Sequence, residues 1–456
     1  MTQQKTDSNT QLEADLEPIT RIDVRGFKSI NQEQSIEIRP LTILAGANSS
    51  GKSSMMQPLL LLKQTLEASY DPGALLLNGP NVKFTQVDQL LSRLSSRREK
   101  DTFAISIWGN PGVSLMTVFR RSKSKGRGFD VVETRYEIYG TSIRLRADMS
   151  EDEIQAAVPI IPGNRGRIIA EGSQPKRVLE RNRCFLSLAT EHSTHITTSF
   201  IFSEIISDSI LQVIHLPGLR GNPERDYPAT FVSSNFRGTF NEVGPLFPGT
   251  FESYVASIID QWQLDNDNEV LAKLYGDLAR LALTNKIVAR RKNDTAIELL
   301  VNRFLQGDKE DMVSIADVGI GVSQALPVVV ALHTANPGQL VYIEQPEIHL
   351  HPRAQHAMAE VLADAAKEGK RLVIETHSSL LLLAIQTLVA EGKLPPELVK
   401  LHWFTQQEDG STKIDSADLD ERGAYGDWAE DFDDIALYSE GRFLDAQARM
   451  RGQEGE

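Results

Sequence analysis

The residues with the clearest chemistry are the eight at positions 46–53, which read G-A-N-S-S-G-K-S. The two glycines let the backbone curl so that successive N–H groups point at an anion. In such a loop the lysine, here Lys52, reaches the β- and γ-phosphates of a nucleotide, and the next hydroxyl, here Ser53, is a ligand for Mg²⁺. The pattern therefore predicts ATP and Mg²⁺ as cofactors. The expected nucleotide contacts are Gly46, Asn48, Ser49, Gly51, Lys52, Ser53 and Ser54.

The elements that must position this loop are visible on both sides of it. Residues 41–44 are an apolar run that predicts a buried strand, and residues 54–62 predict a helix. A phosphate loop needs a strand before it and a helix after it. The context therefore favours a nucleotide site over a Gly/Ser-rich turn that meets the pattern by chance.

A carboxylate follows a second apolar run, at residues 339–343. Parallel sheets of this class present a Mg²⁺ ligand at the carboxyl end of a buried strand, beside the phosphates. We therefore predict that Glu344 binds the metal. A further buried strand at residues 371–375 leads to His377, which we expect to face the γ-phosphate.

Residues 319–324 read G-I-G-V-S-Q and precede a predicted helix. Small residues and a serine at a helix N-terminus can bind an anion, as the phosphate loop does. The sequence therefore holds two anion sites of the same physical kind, which lie far apart along the chain.

Composition and charge limit the classes of function. The 456 residues suffice for two or three domains. The formal net charge of −14 argues against a general attraction to nucleic acid or to an anionic membrane. Cys184 is the single cysteine, which excludes an intrachain disulfide, and we find neither a signal peptide nor a run of about 18 apolar residues. We expect a soluble cytoplasmic protein.

Two basic stretches stand out from the acidic balance. They cover residues 120–127 and 165–183 and are bounded by Arg120, Arg127, Arg165 and Arg183. Solvated surface loops are the simpler interpretation of both. Contact with DNA or with an acidic partner is the alternative, because the rest of the chain is acidic.

Four motifs in this order resemble those of the ABC-type ATPase heads of the SMC/RecF/OLD grouping. They are G-x-x-x-x-G-K-S, D-V-G-I-G-V-S-Q, I-E-Q-P-E-I-H-L-H-P and E-T-H-S. The chain is most similar to the compact ATPases of bacterial anti-phage defence systems, over residues 19–402. The resemblance implies an α/β fold: a P-loop NTPase with a mixed sheet flanked by helices and an inserted α+β lobe in the middle of the chain.

The resemblance also implies roles for particular residues. Positions 46–53 would be Walker A, 340–344 Walker B and 319–324 the signature, whose Gly321 and Ser323 would contact ATP bound to a second subunit. Gln86, or alternatively Gln89, would be the Q-loop glutamine and a metal ligand, and His377 the switch histidine. Such heads sandwich two ATP molecules, so a homodimer or a higher even-numbered oligomer follows.

The same resemblance suggests a division of the chain into five segments. Residues 1–18 would be a disordered tail, and 19–120 the N-terminal part of the ATPase head. Residues 121–305 would be the inserted middle lobe, 306–402 the C-terminal part of the head, and 403–456 an acidic tail with a short helix.

One position departs from the pattern of these heads. They commonly carry a catalytic carboxylate directly after the Walker B acid, where this chain has Gln345. An amide cannot accept the proton of the attacking water, although it can orient that water. Glu347 is the candidate substitute base. We therefore predict hydrolysis that is slow or depends on a partner.

Four functions are compatible with these motifs. The first is an ATP-driven sensor or scaffold of a defence system that controls a separately encoded effector protein. The second is a DNA-repair ATPase that clamps DNA like RecF, which the basic stretches support and the net charge opposes. A transporter subunit fits poorly, because the segment between Walker A and the signature is too long. The fourth is an ATP-dependent assembly protein that does not hydrolyse ATP, and it differs from the first only in its rate of turnover.

Overall fold

The computed structural model describes residues 18–94, 101–109, 112–124, 128–138, 140–157, 176–191, 196–198, 202–231, 246–304 and 310–425. The predicted N-terminal tail, most of the basic stretch at 165–183 and the acidic segment and helix after residue 425 lie outside these ranges.

The strands of the described residues are numbered in chain order. They are β1 (Arg21–Arg25), β2 (Gln34–Glu37), β3 (Leu41–Gly46), β4 (Thr102–Trp108), β5 (Val113–Arg121), β6 (Phe129–Ile138), β7 (Thr141–Arg146), β8 (Lys176–Asn182), β9 (Phe185–Glu191), β10 (Ile196–Thr198), β11 (Ile214–Leu216), β12 (Tyr227–Pro228), β13 (Ile287–Asn293), β14 (Ala296–Asn302), β15 (Met312–Ser314), β16 (Leu340–Glu344), β17 (Arg371–Glu375), β18 (Val399–Gln406) and β19 (Thr412–Ala417).

The α-helices of the described residues connect and cover these strands. They are α1 (Lys52–Glu67), α2 (Glu151–Ala156), α3 (Phe202–Leu211), α4 (Val255–Leu264), α5 (Asn268–Arg280), α6 (Ile320–Thr334), α7 (Pro352–Lys367) and α8 (Ser379–Ala390). No described helix is both long enough and apolar enough to cross a membrane.

The sheet that positions the candidate site has the order β11-β16-β17-β3-β18-β19. All neighbours in it are parallel except β19, which pairs antiparallel with β18. β3, β16 and β17 are nearly continuous apolar runs, as strands buried on both faces must be. Their carboxyl ends meet at one edge, where the phosphate loop, Glu344 and His377 therefore gather.

The two faces of this sheet pack against different groups of elements. On one face, Ile43, Ile343 and Ile374 pack in a core with apolar residues of α4 to α8. On the other face, Tyr342 and Val373 pack with α1 and with the antiparallel sheet β2-β1-β4-β5-β6-β7. The prediction of a mixed sheet flanked by helices is confirmed.

The antiparallel sheet continues through the segment boundary that the sequence suggests at residue 120. β5 runs from Val113 to Arg121 and pairs with β6, so Arg120 and Arg121 end a strand and the turn starts after them. Arg121 forms ion pairs with Asp88 and Asp101. This part of the basic stretch is therefore partly neutralised by the protein's own carboxylates.

Candidate nucleotide site

The phosphate loop joins the end of β3 to the start of α1 with two glycines at positive φ. Gly46 has φ of 140° and Gly51 has φ of 103°. A Cβ atom at Gly46 would lie 2.3 Å from the Phe404 carbonyl oxygen, and one at Gly51 would lie 2.2 Å from Thr412 Oγ1. Both the backbone conformation and the close approach therefore require glycine at these two positions.

Lys52 is folded back onto this loop. Its Nζ donates to the carbonyl oxygens of Gly46 at 3.0 Å and Ala47 at 2.8 Å, and lies 3.5 Å from Nδ1 of His377. Burial lowers the pKa of Lys52. Burial and the nearby Lys52 charge also lower the pKa of His377, which favours the neutral imidazole. The structure thus brings together the two side chains that the sequence assigns to the phosphates.

Ser53 contacts a carboxylate that the sequence reasoning did not select. Its Oγ donates to Glu375, with distances of 2.9 Å to Oε1 and 3.0 Å to Oε2. Glu375 is the last residue of β17 and is 6% exposed. The sequence feature that could have identified Glu375 is a charged residue at the carboxyl end of an apolar strand, and the same feature selected Glu344.

Glu344 ends the neighbouring strand and points to other partners. Its Oε2 accepts from the Gly218 amide at 3.1 Å, and its Oε1 lies 3.4 Å from Nε2 of the buried His215. Burial disfavours the charged carboxylate, but the contacts with His215 and Gly218 hold the pKa of Glu344 below its usual value. His215 was also missed by the sequence reasoning, because a lone histidine in an apolar strand carries no motif.

The two residues considered for water activation lie in different surroundings. Gln345 has φ of 47°, and its amide N–H donates to the Glu375 carbonyl oxygen at 2.7 Å. Glu347 is 7% exposed and accepts from Thr376 Oγ1 at 2.6 Å and from the His377 amide at 3.2 Å. Burial raises the pKa of Glu347. In this conformation Glu347 supports the turn that carries His377.

The signature residues lie at the start of α6. Ser323 donates to the Ile320 carbonyl oxygen at 2.8 Å and is half-buried, while Gln324 is buried. The Gln324 Nε2 donates to the carbonyl oxygens of Arg220 and Gly221, each at 3.2 Å. At Gly321 a Cβ atom would lie 3.4 Å from the His349 carbonyl oxygen.

The predicted Q-loop glutamines are exposed in a short turn. Gln89 Oε1 accepts from the amides of Thr85 and Gln86, at 2.8 Å and 3.2 Å. Among the hydrogen bonds of the described residues, neither glutamine contacts Ser53 or Glu344. Another amide side chain, that of Asn81, is linked to Glu344 through His215: Asn81 Oδ1 lies 3.0 Å from His215 Nδ1, and the other ring nitrogen of His215 faces Glu344.

Comparison with known proteins gives two family matches. Residues 193–384 match the family described as "AAA domain, putative AbiEii toxin, Type IV TA system", and residues 18–71 match a protein family of unknown function (DUF2813). The first match includes the predicted signature, the predicted Walker B strand and His377, and the second includes the phosphate loop. No curated protein matches the chain.

SMC head domains are among the similar solved structures. A head bound to the C-terminal winged helix domain of ScpA has 13% identity and a TM-score of 0.48, covering 89% of this chain and 98% of its own. The head from Thermotoga maritima has 10% identity and a TM-score of 0.39, with coverages of 87% and 98%. A head from Pyrococcus furiosus with an extended coiled coil, bound to the C-terminal domain of ScpA, has 10% identity and a TM-score of 0.43, with coverages of 88% and 97%.

The phosphate loop, the parallel strands that carry it and the AAA-domain match define the class of this protein as a P-loop ATPase. Residues 319–324, 340–344 and His377 all lie within the stretch that matches this AAA-domain family, which agrees with the ATPase resemblance drawn from the sequence.

Proposed function

We propose that this protein binds ATP at the edge formed by β3, β16 and β17 and hydrolyses it slowly, as the ATP-driven sensor or scaffold of a defence system. The observation that carries the proposal is the meeting of Lys52, Ser53 and His377 at that edge, with Glu344 and Glu375 beside them. These five side chains come from three strand ends and supply what phosphate binding requires.

The donor atoms fit a Mg²⁺ ion. Ser53 offers a hydroxyl oxygen, and Glu344 and Glu375 offer carboxylates, the hard oxygen ligands that Mg²⁺ prefers. No group of three or more His, Cys, Asp or Glu suited to a metal occurs among the described residues. One or two carboxylates suffice where substrate phosphates complete the coordination. When bound, the ion would neutralise charge on the phosphates.

The chain's own residues would act on the phosphates as follows. Phosphate oxygens would replace the Gly46 and Ala47 carbonyls as partners of Lys52, because the ammonium is a stronger partner for an anion than for a carbonyl. Neutral His377, 3.5 Å from Lys52, would hydrogen-bond to the γ-phosphate. Gln345 would orient the attacking water without accepting its proton, and this accounts for slow turnover.

Two copies would face each other across this edge. Ser323, which is half-buried at the start of α6, would reach ATP held by the second copy. Apolar side chains that face solvent surround the same edge: Leu219 is 88% exposed, Ile320 39%, Leu380 43% and Leu383 56%. Contact between two copies would remove these side chains from water, which favours association. The expected state is a homodimer or a higher even-numbered oligomer.

The defence role is supported by the family match, whose description names a putative toxin of a type IV toxin–antitoxin system. A separately encoded effector would then be the partner. Co-purification of the tagged protein with the product of a neighbouring gene, in ATP and not in ADP, would support this role. Equal recovery with both nucleotides would contradict control by ATP.

Steady-state ATP hydrolysis by the purified full chain tests the central proposal, with Lys52→Ala as the blank. We expect turnover below about 10 s⁻¹ that disappears in the blank. Hydrolysis that persists in Lys52→Ala would place the activity elsewhere. Turnover well above this limit in the isolated protein would contradict the role given to Gln345.

A RecF-like DNA clamp is the second candidate function, supported by the basic stretches at 120–127 and 165–183. Double-stranded DNA should then bind with an affinity that falls steeply with salt, and it should stimulate hydrolysis. Binding measured between about 50 and 200 mM salt distinguishes this function from the sensor role, for which we expect no stimulation by DNA.

A further inference from the structure

Walker B motifs ordinarily supply the acid that faces the serine of the phosphate loop, and the predicted Walker B acid of this chain is Glu344. The sheet order places another carboxylate closer. β17 lies between β16 and β3, so Glu375 pairs in register with both Glu344 and Leu44. Adjacent strands lie about 4.8 Å apart, so the backbone at Glu344 is one strand farther from the phosphate loop than the backbone at Glu375.

The hydrogen bonds of the described residues also distinguish Glu375, which contacts the phosphate loop, from Glu344, which does not. Ser53 donates its hydroxyl proton to Glu375, while Glu344 accepts from the Gly218 amide on the other side. Tyr342, which is fully buried, donates its hydroxyl to Glu375 Oε2 at 2.9 Å. Glu375 is therefore held from two directions, by the hydroxyl of Tyr342 and the hydroxyl of Ser53.

This arrangement determines where the free electron pairs of Ser53 can point. A serine hydroxyl has one proton to donate and two lone pairs that accept or bind a cation. When the proton is directed at Glu375, the lone pairs face away from that carboxylate. A cation on the Ser53 oxygen would then also sit close to the buried carboxylate group of Glu375.

Resting on the proposed ATP site, we propose that Glu375 positions Ser53 for the divalent cation and supplies the main carboxylate charge beside it. Glu344 has the weaker effect on cation affinity. Glu375, at the end of the neighbouring strand β17, thus has the role that the motif assigns to the Walker B acid.

The test measures Mn²⁺ affinity directly, by the EPR signal of free Mn²⁺ during titration of the full-length protein with a non-hydrolysable ATP analogue. Nucleotide affinity without metal is measured in EDTA with a fluorescent ATP analogue. We expect Glu375→Gln to weaken Mn²⁺ binding about 10- to 100-fold, as loss of a supporting carboxylate does at metal sites, with little change in EDTA. Glu344→Gln should weaken it less.

A buried carboxylate remote from the loop provides the matched control. Glu298 on β14 is 8% exposed, close to the 6% of Glu375, and pairs with Arg290. Glu298→Gln should leave Mn²⁺ affinity unchanged. Tyr342→Phe is a second test of the same inference, because it removes a hydroxyl and keeps both the Glu375 carboxylate and the packing of the ring. Because it removes one of the two groups that hold Glu375, we expect a several-fold loss of Mn²⁺ affinity.

Two results would overturn the inference while leaving the proposed function intact. One is unchanged Mn²⁺ affinity in both Glu375→Gln and Tyr342→Phe. The other is a larger loss in Glu344→Gln than in Glu375→Gln. If the wild-type protein binds the analogue neither with Mn²⁺ nor in EDTA, the proposed function fails, and the inference fails with it.

Discussion

Arg220 lies with its Nη2 atom 2.7 Å from the carbonyl oxygen of Glu344, so the guanidinium is bound to the carboxyl end of β16. Its Nη1 donates to the Gln324 carbonyl oxygen at 3.1 Å. One buried side chain therefore joins β16 to α6. Burial lowers the pKa of Arg220 to about 10, so the side chain remains charged at neutral pH.

We expect Arg220→Ala to lower the free energy of unfolding by about 3 kcal/mol, because it leaves buried carbonyl oxygens without their donor and removes a positive charge near the carboxylates of Glu252, Glu347 and Glu344. Chemical denaturation monitored by circular dichroism measures this. Arg225→Ala is the matched control in the same loop: Arg225 is exposed and pairs with Asp317, which is also exposed, so its loss should destabilise the protein far less. Equal effects of the two substitutions would show that Arg220 does not join these elements.

Gln345→Glu should accelerate ATP hydrolysis at least about tenfold, because a carboxylate can accept the proton of the attacking water and general bases contribute factors of that size or larger. Gln345 already has φ of 47°, so the change adds no new backbone strain. The rate constant is measured under saturating ATP with the wild type in parallel. An unchanged rate would mean that another group accepts the proton or that a later step limits turnover.

The exposed leucines at the nucleotide edge give a prediction about assembly. Leu383→Asp and Leu219→Asp should each weaken ATP-dependent association at least about tenfold, because a charge would be buried without a partner in the contact. Light scattering with a non-hydrolysable ATP analogue measures the molar mass. Leu264→Asp is the control, because Leu264 is 59% exposed at the end of α4 and does not belong to this edge. Association that survives both edge substitutions would place the interface elsewhere.

The parts of the site that could be predicted from the sequence are those encoded by neighbouring residues. Gly46, Gly51 and Lys52 belong to one loop whose backbone demands glycine and whose strand and helix are adjacent in the chain. The meeting of Lys52 with His377 could be anticipated as well, because both follow buried strands of a parallel sheet whose carboxyl ends share an edge.

The contacts that were missed depend on strand order and on loops far away in the chain. Nothing in the motifs indicates that β17 lies between β16 and β3, and this order selects Glu375 over Glu344 as the partner of Ser53. His215 lies 129 positions before Glu344 along the chain, and Arg220 lies 104 before Gln324. Hydrophobic periodicity predicts the local structure of each segment separately, and it does not predict which segments pack together.

A buried histidine on β18, the strand that pairs with β3, makes stability depend on pH. His402 on β18 is 1% exposed, its Nε2 lies 2.8 Å from the Glu37 carbonyl oxygen, and its Nδ1 lies 2.7 Å from Ser416 Oγ. Burial lowers the pKa of His402 to about 4. In the unfolded chain the same group has a pKa of about 6.5.

The sign of the effect follows from these two values. In the unfolded chain His402 is protonated below about pH 6.5, whereas in the folded protein it is protonated only below about pH 4. Because the unfolded chain binds this proton first, the free energy of unfolding falls as the pH decreases from about 6.5 to about 4. The total loss is about 3 kcal/mol, and it is complete below the folded pKa. His402→Gln keeps a donor for the Glu37 carbonyl and removes the titration. Urea denaturation at several pH values should give a flatter dependence for this variant than for the wild type, and parallel curves would show that His402 is not the group responsible.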